Sequence, residues 1–253
     1  MFPYRDENET QRTPYVTLVF IALNVLAWLL VQGAGSVLPL ARSVCNLGLI
    51  PGELTGALPP GTRFPMGEGL VCLTDSGRQV SHLVTSMFLH GSWMHLLGNM
   101  WFLWLFGNNV EDAMGRSRYV AFYLLSGLAA AFAQVLTDPS SGIPMVGASG
   151  AISGVMGGYL LLYPRVRVFC MVPLGFVMTS VALPAWMMLV YWLGIQFVSG
   201  LTVLGRGEGG GVAFWAHVGG FVAGLILVKL FAQSEYVEAH RTRHWQPRRV
   251  VGR

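Results

Sequence analysis

The sequence predicts an all-α, polytopic membrane protein of six helical spans, and three observations carry that expectation. Hydrophobic residues make up 53% of the 253-residue chain and charged residues only 11%, against roughly a quarter charged in a typical soluble domain. The charges are segregated, so that long stretches carry none. Six largely charge-free stretches, with Lys229 inside the last of them, fall in the range of about 17–25 residues expected of a membrane-spanning helix.

A polar segment, residues 1–14, leads into the first span, Tyr15 to Gln32. No small-residue cleavage site ends that apolar run, so a retained helix is expected rather than a signal peptide. A long outer loop rich in Gly and Pro follows, from Gly33 to about Arg78. It holds Cys45 and Cys72, which would pair in an oxidising compartment or stay as two free thiols; spacing decides neither. With Cys170 they form no metal-ligand pattern. The second span covers His90 to Phe106, with Leu83 to Leu89 leading in, and the third covers Tyr119 to Leu136. The fourth runs from Val146 to Tyr163. The fifth, Val177 to Val198, carries Pro184, a point where a lateral gate could weaken. The sixth covers Val212 to Phe231, after Gly209-Gly210-Gly211. The expected organisation is thus a cytoplasmic segment 1–14, a membrane domain 15–231 and a basic cytoplasmic tail 232–253, with no second soluble domain.

Basic residues set the orientation. With the N-terminus cytoplasmic, the inner segments hold Arg5, Arg12, Arg116, Arg118, Arg165, Arg167, Lys229, Arg241, Arg243, Arg248, Arg249 and Arg253. The outer segments hold only Arg42, Arg63, Arg78 and Arg206. The positive-inside rule then places both termini in the cytoplasm. The basic tail suits anionic lipid headgroups and not nucleic acid.

Polar side chains inside spans are costly, which makes them functional candidates. Three clusters qualify: His90-Gly-Ser-Trp-Met-His95-Leu-Leu-Gly-Asn99, Gly147-Ala148-Ser149-Gly150, and Ala216-His217-Val218-Gly219-Gly220. Each lies in the outer part of its span. A serine hydroxyl attacks well only when a base takes its proton, and a neutral imidazole is the usual base. His217 fits that role toward Ser149. His95 and Asn99, four apart and on one helical face, suit an oxyanion hole, with the Ser149 backbone N–H. The acidic residues all read as loop or tail, Glu111 and Asp112 included, which predicts a Ser–His dyad without a carboxylate. Gly150, Gly154, Gly157 and Gly158 on the fourth span and Gly220 and Gly224 on the sixth would let the two helices close.

Singly these features are weak. Ser-Gly recurs at Ser76, Ser126, Ser141, Ser153 and Ser199, and a lone serine in a span is more often a packing residue. His90, His95 and Asn99 would each serve equally as helix-to-helix hydrogen-bond glue. His82, His90, His95 and His217 lack an H-E-x-x-H pattern or a nearby carboxylate, so no metal or other cofactor is expected. Trp93, Trp101 and Trp104 read as lipid-facing or interfacial anchors. A small transporter would need strongly polar residues deep in the spans, and almost none are present.

In combination and order, H-x4-H-x3-N, then G-x-S-G, then A-H-x-x-G on the second, fourth and sixth spans resembles the rhomboid intramembrane serine proteases, over about Leu83 to Leu227. The resemblance implies Ser149 as nucleophile, His217 as general base, and His95 and Asn99 as oxyanion donors. It matches Gly147 to the first motif glycine and His90 to a neighbouring position outside the dyad. It implies cofactor-free cleavage of transmembrane protein substrates within membrane lipid, in a bacterial cytoplasmic membrane. The alternative is a non-catalytic rhomboid-like protein that binds membrane clients, a type that usually lacks the serine or the histidine. Two positions depart from the pattern. Ser81-His82 stands where a Trp-Arg pair is usual, and Ser153 stands where a ring usually supports the histidine. His217 therefore needs other support.

Overall fold

The computed structural model describes residues 1–175, 177–206 and 212–244. The Gly209–Gly211 run and the tail residues Arg248, Arg249 and Arg253 lie outside the described residues. In chain order the elements are β1 (Phe2–Asp6), α1 (Tyr15–Leu26, continued by a π-helical turn Ala27–Val31), α2 (Val37–Leu47), α3 (Pro51–Thr55), β2 (Arg63–Gly67), β3 (Leu70–Leu73), α4 (His82–Thr85), α5 (Trp93–Met114), α6 (Arg116–Thr137), α7 (Ser149–Leu162), β4 (Arg167–Leu174), β5 (Val177–Pro184), α8 (Ala185–Arg206), α9 (Phe214–Phe231) and α10 (Ser234–His244).

The chain is mostly helical. Three described helices are long and apolar enough to cross a membrane by length and composition: α6, α8 as far as Leu204, and α9. Tyr15–Val31 and Ser149–Leu162 are shorter apolar helices. The core between the helices is built from large rings, with Trp28, Phe106, Tyr119, Tyr123, Tyr159 and Phe221 all fully buried. Large apolar side chains also face outward, among them Leu30, Leu136 and Leu230, each more than 70% exposed. Outward-facing side chains of that kind suit lipid rather than water.

An all-helical fold is corrected in two places. β4 and β5 form an antiparallel hairpin, and β1 pairs with β4 on its other side. The expected fifth span is displaced as a result. Its first residues, Val177–Pro184, are β5, and α8 begins only at Ala185. Pro184 ends a strand, opposite Arg167, and so does not weaken the helix from within. The stretch expected as one long loop, Gly33 to Arg78, carries α2, α3 and the β2–β3 hairpin, and the Cys45 and Cys72 sulfurs are bonded, tying α2 to β3.

The second span also differs from expectation. α5 starts at Trp93, where Ser92 caps it by accepting a hydrogen bond from His95 N–H at 3.1 Å. It then runs on to Met114, so Glu111 and Asp112 lie in a helix and not in a loop. Both are buried, and both are satisfied. The Glu111 carboxylate accepts from Val16 N–H (3.0 Å), Thr17 N–H (2.8 Å) and the Thr17 hydroxyl (2.8 Å), capping the start of α1. Asp112 accepts from Gln11 N–H and pairs with Arg12 at 2.9 Å. This lashing holds α1 against α5 at the end of the bundle far from Ser149, since Glu111 lies sixteen residues, about 24 Å, along α5 from His95.

Candidate active site

The segment before Ser149 is extended and pinned on both sides. Met145 exchanges two backbone hydrogen bonds with Leu49, at 2.7 and 3.0 Å, and Gly147 N–H donates to Ser86 O at 2.9 Å. α7 then starts at Ser149 itself. Its first-turn N–H groups have no intrahelical acceptor, which leaves them available to developing negative charge.

α9 brings His217 to the same place through a seam without side chains. A Cβ on Gly220 would strike Gly150 O, one on Gly224 would strike Gly154 O, and one on Gly157 would strike Phe221 O. Backbone therefore meets backbone along the crossing, as the glycine spacing predicts. Gln134 of α6 adds a fixed point, accepting from Ala216 N–H at 3.3 Å. The outcome is that His217 Nε2 and Ser149 Oγ lie 2.8 Å apart.

The other ring nitrogen of His217 defines the arrangement. Nδ1 sits 2.7 Å from Gln196 Oε1 on α8. An amide oxygen only accepts, so Nδ1 carries the proton and Nε2 is free to accept from the Ser149 hydroxyl. Trp192, one turn earlier on α8, places its ring 5.8 Å from the imidazole at an interplanar angle of 38° and stacks on Phe221. The support missing at Ser153 thus comes from another helix. Ser153 instead donates its hydroxyl to Ser149 O at 2.6 Å, a local back-bond inside α7.

His95 and Asn99 line the same cavity as Ser149 and His217, a space of about 690 Å³. Gly91 N–H donates to His95 Nδ1 at 3.3 Å, so Nε2 holds the proton. Asn99 Nδ2 is buried with no hydrogen-bond partner among the described residues. Gly147 joins these parts. Its φ is +132°, and a Cβ there would lie 2.8 Å from His95 Nε2 and 3.4 Å from Ser149 Oγ. Glycine is needed for the backbone conformation and also to leave open the space between a hydroxyl and a ring N–H.

His90 stands apart. Its ring is buried, with its centroid 5.1 Å from that of His95. Its backbone is clamped at N–H (2.8 Å) and C=O (2.7 Å) by the buried amide of Gln32. His82 is buried in α4, away from the cavity lining. Among the described residues no His, Cys, Asp and Glu group could hold a metal ion. Trp101 and Trp93 are tied down rather than free, donating to Pro3 O (2.8 Å) and Ala34 O (3.1 Å).

Sequence reading missed Gln196, Trp192, Gln134 and Gln32. Gln196 and Gln134 carried a usable signal, since each is an amide inside an apolar stretch.

Comparison with known proteins gives the family. The Rhomboid domain family model matches residues 77–234. RHOMBOID-like protein 5 of Arabidopsis thaliana is 38% identical over 78 residues, 31% of this chain and 25% of that one. The mitochondrial presenilin-associated rhomboid-like protein of Mus musculus is 33% identical over 89 residues, 34% and 24% of the two chains. The chloroplastic rhomboid-like protein 11 of Arabidopsis thaliana is 39% identical over 72 residues, 28% and 25%. The chain spans about a quarter of the length of these relatives. The family match covers well over half of the chain, which is an integral membrane protein and belongs to the rhomboid family.

Proposed function

We propose that the protein is an intramembrane serine endopeptidase that cleaves transmembrane segments of other membrane proteins through a Ser149–His217 dyad. The observation that carries this reading is the 2.8 Å contact between Ser149 Oγ and an His217 Nε2 left unprotonated by the bond at Nδ1. In the reaction, Ser149 Oγ attacks the scissile carbonyl carbon and its proton passes to His217 Nε2. The carbonyl oxygen becomes an oxyanion in the space beside Gly147. It accepts hydrogen bonds from His95 Nε2–H, Asn99 Nδ2–H and Ser149 N–H. The amine leaves with the proton from His217, and water then hydrolyses the acyl-enzyme with His217 again as base.

The same reading takes α1, α5, α6, α7, α8 and α9 as six spans, with both termini cytoplasmic and Ser149 near the outer face. The biased distribution of basic residues supports it. The Cys45–Cys72 bond supports it too, since disulfides persist on the oxidising side of a membrane. A bacterial cytoplasmic membrane fits both features.

Fluorophosphonate labelling tests the proposal. Purified wild-type protein in detergent is expected to label on Ser149, and Ser149→Ala to stay unlabelled. A folded wild-type protein that does not label would point instead to a non-catalytic client-binding protein. Asn99→Ala removes one oxyanion donor and is expected to lower kcat about 10²- to 10³-fold with little change in KM. An unchanged kcat would remove Asn99 from the site.

A further inference from the structure

The support for His217 comes from a helix that is itself weakly held. α8 is 17% buried over its spanning window, against 39% for α6. Yet Gln196 and Trp192, four apart and so on one face of α8, both reach the imidazole. No carboxylate takes that place. In an apolar cavity an ionised carboxylate is costly to bury, whereas an amide offers an acceptor oxygen at far lower desolvation cost.

We infer that Gln196 is a positioning residue for the base: its side-chain oxygen holds His217 in the Nδ1–H tautomer and ties that tautomer to the position of α8. The inference rests on Ser149 and His217 being nucleophile and base. The alternative ring state, protonated at Nε2, cannot accept the Ser149 proton. With Gln196 Oε1 in place, the accepting nitrogen always faces Ser149. Through the whole proton transfer the Nδ1–H···Oε1 bond stays as it is, because the proton from Ser149 arrives at Nε2 and leaves from there to the amine. Displacing α8 outward breaks this bond while leaving the seam between α7 and α9 untouched.

The test measures the second-order rate of labelling by a small, water-soluble fluorophosphonate, which needs no lateral passage between helices. Gln196→Leu is expected to label about 10- to 100-fold more slowly than wild type. Gln196→Glu, which keeps an acceptor oxygen at the same reach, is expected to restore most of the rate. Gln196→Met, of equal length without the carbonyl, repeats the leucine result if the leucine variant does not fold. The inference is overturned if the leucine and methionine variants label at the wild-type rate. It is also overturned if they cleave transmembrane substrates poorly while labelling normally, since Gln196 would then act on substrate passage. Equal slowing in the glutamate variant at unchanged thermal stability overturns it as well. A wild-type protein that fails to label overturns this inference together with the dyad. Normal wild-type labelling with unaffected variants overturns this inference alone.

Discussion

Replacing His217 with alanine is expected to lower kcat by about four to six orders of magnitude. The loss is that large because, among the described residues, no other base is in contact with Ser149 Oγ. His217 is the group in contact with Ser149 Oγ, at 2.8 Å. His95, the next imidazole, accepts from Gly91 N–H at Nδ1 and so presents an N–H to the cavity instead of a lone pair. A donor cannot receive the serine proton. The double variant Ser149→Ala/His217→Ala is expected to be no slower than either single variant, because the two side chains act as one unit. Turnover of a fluorogenic transmembrane peptide with small residues around the cut, reconstituted in liposomes, measures both. A His217→Ala protein that keeps more than a hundredth of wild-type kcat would mean that another base serves Ser149.

The second large effect is on the fold. Gly224→Val places side-chain carbons against the backbone of Gly154, whose Cα would lie 2.7 Å from the new Cβ. Backbone cannot swing aside as a side chain does, so α7 and α9 must separate. Overpacking of this kind costs about 1–3 kcal/mol when side chains yield, and more when they cannot. A loss of at least ~3 kcal/mol is expected, read as a marked drop in thermal midpoint in detergent, together with loss of fluorophosphonate labelling. Val222, two residues away on the same helix, is 44% exposed, so Val222→Ala is the control and is expected to move neither. A Gly224→Val protein that melts and labels like wild type would show that the seam does not hold the two helices together.

Much of the helix arrangement was legible because hydropathy and glycine spacing report on burial directly. Gly150, Gly154, Gly157 and Gly158 on one span and Gly220 and Gly224 on the other read as faces that would let two helices close, and the helices do meet there, Gly220 on Gly150 and Gly224 on Gly154. The hairpin was not legible. Val177–Leu183 is mostly apolar, interrupted by Thr179 and Ser180, and a short stretch of that kind does not distinguish a strand from the start of a span. That error placed the start of the fifth helix at Val177 instead of Ala185. Glu111 and Asp112 were misplaced for a different reason. Carboxylates are expelled from spans unless they are paired or capping, and their partners, Arg12 and the first turn of α1, lie about a hundred residues earlier in the chain. Pairing over that distance leaves no local pattern. The Cys45–Cys72 bond was open for the same reason, because two cysteines in one stretch do not state whether α2 and β3 will bring them together.

The glycine seam has a further consequence when set beside the looseness of α8. Where backbone rests on backbone, the separation of the two helices that carry Ser149 and His217 is set by main-chain contact and not by side-chain packing. The orientation of the imidazole is an angle, governed from a helix with little burial. The chemistry therefore has one rigid coordinate and one adjustable coordinate. A bulky helix wedged beside α8 would turn the ring before it separated α7 from α9, and the rate would return only as α8 settled back.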